Sequence, residues 1–333
     1  MPNNRQFTTE QQLTERLANE IALFWQQGHF NHFHGENGVD IHYGYFTQQQ
    51  TRPNLIIVPG RCEAYLKYKE LCYDLFQQGF NIFILDHRGQ GLSGRMLDNW
   101  QKGYVDDFQN YVLDLDNFIE NIVKIQSPQD NYILAHSMGG AIATRYLQYR
   151  ADSIKAAVLA SPMLGFNVGK VPEKLAENLI NQAEKLNQWL GAKPWYFLGH
   201  KNFIATPFKD NLLSHSQVRY QSYLDLYQQE KHLQLGGVTV KWLVESVKAQ
   251  ELIFQQLAAI TTPVLVLQAS KDIIIKNQAQ DEFCQQLNQI NADSCPDGKA
   301  MVIDGAYHEL FFEIDSYRNL ALNHTLDWIE KHQ

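Results

Sequence analysis

The hexapeptide Ala135-His136-Ser137-Met138-Gly139-Gly140 sets one serine between small residues two positions to either side. A serine held at the tip of a sharp strand-to-helix turn needs small neighbours there, and Ala135 and Gly139 supply them. The run Tyr132 to Ala135 before it reads as a short buried strand, and Gly139 to Tyr149 after it as a helix. Ser137 is therefore the expected nucleophile. The Met138 amide, at the start of that helix, is an expected donor to a developing oxyanion. The plainer alternative is a serine that merely caps the helix.

A serine is a poor nucleophile unless a histidine takes its proton and a carboxylate holds that histidine. Both are expected after Ser137, in loops beyond the carboxyl ends of later strands. Strand Pro263 to Gln268 is followed by Asp272, and strand Met301 to Ile303 by His308. His324 and His332 fall on the closing helix, so His308 is the expected base. Asp304 rivals Asp272 as the acid but leaves the sheet only four residues before the base. The second oxyanion donor is expected in Pro59-Gly60-Arg61-Cys62-Glu63, after strand Leu55 to Val58, with the Arg61 amide as the donor. The Arg61 guanidinium and the Glu63 carboxylate are candidate substrate contacts. The alternative is that they brace their own loop, Arg61 through Glu63.

Two patterns point elsewhere and fail on context. Gly89-Gln90-Gly91-Leu92-Ser93-Gly94 fits a dinucleotide fingerprint, but no helical periodicity follows it to hold a pyrophosphate. His29, His32, His34 and His42 crowd together, yet no carboxylate or cysteine at fitting spacing joins them. No cofactor and no metal are expected.

The elements that must position these residues form a regular beat. From Leu55 short buried strands alternate with amphipathic helices, the pattern of a parallel α/β sheet. The beat stops near residue 163 and resumes near 256, so the expected parts are 1–162 and 256–333 for the core and 163–255 for a mostly helical cap. Ahead of the sheet, a helix capped by Thr8 or Thr9 is expected to run to Gln27, followed by a hairpin turning at Glu36-Asn37-Gly38. Cap aromatics Trp189, Trp195, Tyr196, Phe197, Phe203, Tyr220, Tyr223 and Tyr227 either line an acyl tunnel or form the cap's own core. The chain has 333 residues, 44% hydrophobic and 19% charged, with net charge −8. That composition excludes a disordered tail, and it offers no basic footprint for nucleic acid. No apolar run approaches the roughly 18 residues of a membrane span. Four cysteines without Cys-x-x-Cys spacing read as reduced thiols, and the chain as cytoplasmic.

Val58-Pro59-Gly60-Arg61, Asp86-His87-Arg88-Gly89-Gln90-Gly91, Ala135 to Gly140, Asp272 and His308 together resemble α/β-hydrolases of the monoglyceride lipase and lysophospholipase group. The likeness is strongest over residues 46–144 and returns in the last seventy residues. It weakens through the cap to fragments such as Trp242-Leu243, and it leans toward the bacterial lysophospholipases. It implies a mostly parallel sheet with a helical cap, Ser137, Asp272 and His308 as the triad, and a lysophospholipid or monoacylglycerol substrate. For the bacterial members it also implies peripheral contact with the inner membrane. An aminopeptidase or small-ester hydrolase with the same triad, and a catalytically idle binding or scaffold protein, are the competing readings.

Overall fold

The computed structural model describes residues 5–49, 51–150, 152–167, 173–191 and 193–333. Residues 1–4 of the polar N-terminus, and 168–172 and 192 of the expected cap, lie outside the described residues. Among the described residues eight strands form one sheet: β1 His29–His34, β2 Asp40–Phe46, β3 Asn54–Val58, β4 Asn81–Leu85, β5 Asn131–His136, β6 Ala156–Ala160, β7 Val264–Ala269 and β8 Met301–Ile303. Their order is β1-β2-β4-β3-β5-β6-β7-β8. β2 is antiparallel to both β1 and β4, and every later pairing is parallel.

Strand side chains alternate between faces, and each face is covered by helices. Ile56, Val58, Ile133 and Ala135 meet α4 Gln109–Phe118, α6 Met138–Tyr149, α9 Val240–Gln255 and α10 Asn277–Ile290. Leu55, Ile57, Tyr132 and Leu134 meet α2 Glu20–Gln26, α3 Lys69–Gln77 and α11 Asp315–Lys331. With both faces covered, the central strands β3, β4, β5 and β6 are buried along their whole length. Such strands read in sequence as apolar runs without alternation.

The expected single N-terminal helix is two helices, α1 Glu10–Ala18 and α2. They part at Asn19 (φ −119°, ψ −92°), whose side-chain amide donates to the Glu15 carbonyl at 3.0 Å and competes with the helical ladder. α4 also changes pitch at its end: a π turn over Ile119–Val123 joins it to the short α5 Lys124–Gln126. In the hairpin, Asp40 stands opposite His34 and pairs with its Nδ1 at 2.7 Å. A carboxylate therefore does join the histidine cluster, contrary to the spacing argument, because cross-strand register rather than sequence separation sets the neighbours. Among the described residues no three His, Cys, Asp or Glu side chains converge as metal donors.

Of the segment 163–255, α7 Glu173–Trp189 packs on α9, while α9 buries Trp242, Ala249 and Ile253 in the same core as α6. α8 Gln217–Gln229 is fastened to the core through Arg219, which pairs with Glu70 at 2.8 Å and Asp315 at 2.9 Å. Among the described residues no helix is long and apolar enough to cross a membrane.

Arg88 and Asp114 form a two-pronged ion pair (2.6 and 2.8 Å) with both side chains 1% exposed, and the same Asp114 oxygen receives the Glu36 amide. Asp114→Ala leaves the guanidinium buried without its counter-charge. Denaturant unfolding should show a loss of about 3 to 5 kcal/mol at unchanged slope, and a loss under about 1 kcal/mol would contradict this account of the pair.

Candidate active site

β5 runs into α6 through Ser137, whose backbone (φ 52°, ψ −115°) lies in a region that side-chain-bearing residues seldom occupy. The turn is held from both sides: the Ser137 amide donates to the Ala160 carbonyl at 3.0 Å, and its carbonyl accepts from the Met163 amide at 2.9 Å. Glycine at 139 is a steric requirement, since a Cβ there would stand 2.1 Å from the Val58 carbonyl oxygen. Ser137 Oγ donates to His308 Nε2 at 2.9 Å, and His308 Nδ1 donates to Asp272 Oδ2 at 2.6 Å. Because a carboxylate only accepts, the bond to Asp272 places the proton on Nδ1 and leaves Nε2 free to accept. Burial pushes the Asp272 carboxyl up, but its hydrogen bonds from His308 and from the amides of Ile275 and Ile274 outweigh that and hold it below its ordinary value. Asp304 lies elsewhere: it accepts from the Ser270 hydroxyl at 3.0 Å.

The loop after β3 closes the other side of Ser137. Gly60 permits the approach, for a Cβ there would stand 3.2 Å from the Ser137 Cβ and 2.8 Å from His136 Nδ1. Among the described residues neither the Arg61 amide nor the Met138 amide is bonded to an acceptor. Two unpaired N–H groups beside the Ser137 hydroxyl could receive negative charge. The Arg61 side chain turns away from Glu63 and toward the segment 163–255. It donates to the Gly236 carbonyl and lies over the Trp242 ring at 5.4 Å, while its Nε is buried without an acceptor.

A model of the serine aminopeptidase S33 family matches residues 49–315. The chain belongs to that family. It is 37% identical over 312 residues to lysophospholipase L2 of Escherichia coli (strain K12), which covers 94% of this chain and 90% of that one. It is 26% identical over 288 residues to monoglyceride lipase of Rattus norvegicus, covering 86% and 85% of the two chains. Among solved structures, a soluble variant of the monoglyceride lipase of Saccharomyces cerevisiae, in complex with a substrate analog, superposes with a TM-score of 0.70 at 19% identity, covering 92% and 94%. At that identity it shows the fold: an α/β hydrolase.

In this S33-family chain the Asp86-to-Gly91 motif is a frame for the loop after β3. Among the described residues no helix follows Gly94 until α4, so the nucleotide pattern has no phosphate-binding helix. Instead, Gln90 Nε2 donates to the Gly60 and Glu63 carbonyls at 2.7 and 2.9 Å, and His87 Nε2 donates to the Pro59 carbonyl at 3.0 Å. Tyr227 of α8 donates to the Cys62 carbonyl at 2.8 Å. Glu63 braces its own loop through the Gly60 amide rather than through Arg61. Its side chain is 3% exposed and is taken up by the Gly60 amide, the Tyr68 hydroxyl, Lys67 and His136. The sequence pattern alone assigns His136 and Lys67 no role. For His136 a signal existed: two places beyond Leu134 on β5, it projects to that residue's face of the sheet.

Burial lowers the His87 imidazole to about 4, although its bond to Pro59 and the Glu63 charge pull the other way. Unfolded, His87 takes up its proton near 6.5; folded, it resists until about 4, so the unfolded state holds more protons in that window. His87 thus favours folding above about pH 6.5, and its contribution is lost as pH falls toward 4. In His87→Asn, unfolding free energy should fall less steeply over this window than in the wild type. Burial pushes Asp86 up to about 7, giving the opposite slope in both proteins, which cancels in the difference. Identical slopes would contradict the account.

Proposed function

We propose that the chain is a serine esterase that hydrolyses the acyl ester of lysophospholipids or monoacylglycerols through an acyl-Ser137 intermediate. The observation that carries this reading is the bonded chain Ser137–His308–Asp272 beside the unpaired amides of Arg61 and Met138. In the reaction His308 Nε2 takes the serine proton as Oγ attacks the acyl carbonyl carbon. The two amides receive the oxyanion, and His308 returns the proton to the departing glycerol oxygen. Water then attacks the acyl-serine with His308 again as the base, releasing the fatty acid and restoring Ser137.

The substrate class is supported by relatives named lysophospholipase and monoglyceride lipase. Charge supports it over an aminopeptidase, which must pair a substrate ammonium with a carboxylate. Glu63 and Glu309 both pair with Lys67, and Asp272 holds His308. Among the described residues Arg61, in the loop after β3, has an Nε without an acceptor, and its guanidinium is suited to a phosphodiester.

Contact with a membrane surface from its cytoplasmic side is part of the proposal. Trp189 is 81% exposed; its neighbour Leu190 is exposed too, as are, farther along the same segment, Leu198, Ile204 and Leu212. Trp189 thus neither lines a tunnel nor packs in the cap. This apolar exposure supports lipid contact, and four free cysteines support a reducing compartment.

Ser137→Ala and His308→Ala should each lower kcat about a thousandfold or more, with little further loss in the double variant, because they act as one unit. Asp272→Asn should be severe and Asp304→Asn mild. Additive losses, or the reverse order of the two aspartates, would contradict the assignments.

Arg61→Ala removes the Gly236 contact for every substrate, so a phosphate contact is read in the difference between substrates. Lysophospholipid kcat/KM should fall about tenfold further than monoacylglycerol kcat/KM, the scale of one charge-assisted hydrogen bond. Equal losses would assign Arg61 to the cap alone.

A further inference from the structure

Behind the triad lies a set of buried charged groups that the reaction scheme does not use. Glu63 and His136 have side chains 3% and 4% exposed and meet at 3.1 Å, Oε2 to Nδ1. The other His136 nitrogen, Nε2, lies 3.2 Å from the His308 carbonyl oxygen, and the two imidazole rings are 4.9 Å apart. Both ring nitrogens of His136 therefore face oxygens that only accept, which requires the imidazolium. Burial lowers the His136 pKa, but the charge and hydrogen bond of Glu63 outweigh it and raise it overall. The same Glu63 carboxylate accepts the Gly60 amide at 2.5 Å, and Lys67 spans Glu63 (3.0 Å) and Glu309 (2.8 Å), the residue after the base.

We propose that Glu63 and His136 are a buried positioning pair that ties the oxyanion loop to the loop carrying the general base, fixing the spacing of both about Ser137. The proposal rests on the reading of Ser137 and His308 as nucleophile and base.

The contacts single out this role. Gln90 and His87 already brace the oxyanion loop with hydrogen bonds to its carbonyls. Neither reaches the loop after β8. The Glu63–His136 pair does, linking Gly60 to His308 through the residue that precedes the nucleophile. A buried ion pair is weak support for stability, since apolar replacements of similar volume are often as stable. Fixed direction is what it offers here: an imidazolium between a carboxylate and a carbonyl holds both at hydrogen-bonding distance. Misplacement of reacting groups by about 1 Å can cost about a hundredfold in rate.

The test is the kinetics of Glu63→Gln, His136→Phe and the double variant on a monoacylglycerol, with thermal unfolding of each. Each single variant should lower kcat about tenfold to a hundredfold while KM stays within about threefold. The double variant should be no worse than the poorer single by more than about threefold, because the two residues form one link. His136→Gln retains an N–H for the His308 carbonyl and should recover part of the kcat lost in His136→Phe. Wild-type kcat in either folded single variant, multiplying losses, or no recovery with Gln would overturn the proposal. If Glu63→Gln fails to fold, the two His136 variants decide it. A wild-type enzyme that hydrolyses neither monoacylglycerol nor lysophospholipid would instead refute the underlying reading.

Discussion

The rest of the structure is organised around the backbone of Ser137, held at φ 52° and ψ −115° where β5 turns into α6. A conformation so sparsely populated persists only when its surroundings over-determine it. Here they do so through hydrogen bonds to Ala160 and Met163 and through the glycine that lets α6 start against the Val58 carbonyl. The strain lifts Oγ out of the sheet and leaves the Met138 amide unpaired beside it. The parallel sheet then delivers what the serine needs, since the loops after β3, β7 and β8 all leave the same edge. Arg61, Asp272 and His308 come from those three loops.

Keeping that edge ordered requires charge to be managed below it. Every buried carboxylate near the nucleophile has donors: Glu63 has Lys67, His136, Tyr68 and the Gly60 amide, and Asp272 has His308 and two backbone amides. Asp86 accepts the Tyr65 amide at 2.6 Å and the Leu92 amide at 2.7 Å, which ties the start of the Asp86-to-Gly91 motif to the segment after the oxyanion loop. Arg61 differs, with its Nε unpaired and its remaining contacts made to the cap segment.

Much of this was legible in the sequence, for stated reasons. Strands buried on both faces are written as uninterrupted runs such as Leu55 to Val58, and the small residues around Ser137 mark the sharp turn. The chain order of Asp272 and His308 follows from which loops share the sheet edge. What sequence did not reveal lies in contacts between distant segments or across register. Glu63 meets His136 73 residues away, Asp40 faces His34 across the hairpin, and Arg61 reaches Gly236 rather than the nearby Glu63. Local periodicity also hid the break at Asn19, because Leu13, Leu17, Ile21 and Phe24 keep a helical spacing across it. The cap was read least well: Trp189 looked like an interior aromatic and is 81% exposed, while Trp242 is buried against the core.

The central claim is that Ser137 is the nucleophile and His308 its base. The most direct measurement is mass mapping of the adduct formed by a fluorophosphonate, in the wild type and in His308→Ala, alongside residual hydrolysis. The account predicts one phosphonyl group per chain, on the peptide carrying Ser137, with hydrolysis lost in proportion and labelling nearly abolished in His308→Ala. A stable adduct on another residue, or hydrolysis that survives full labelling of Ser137, would contradict it.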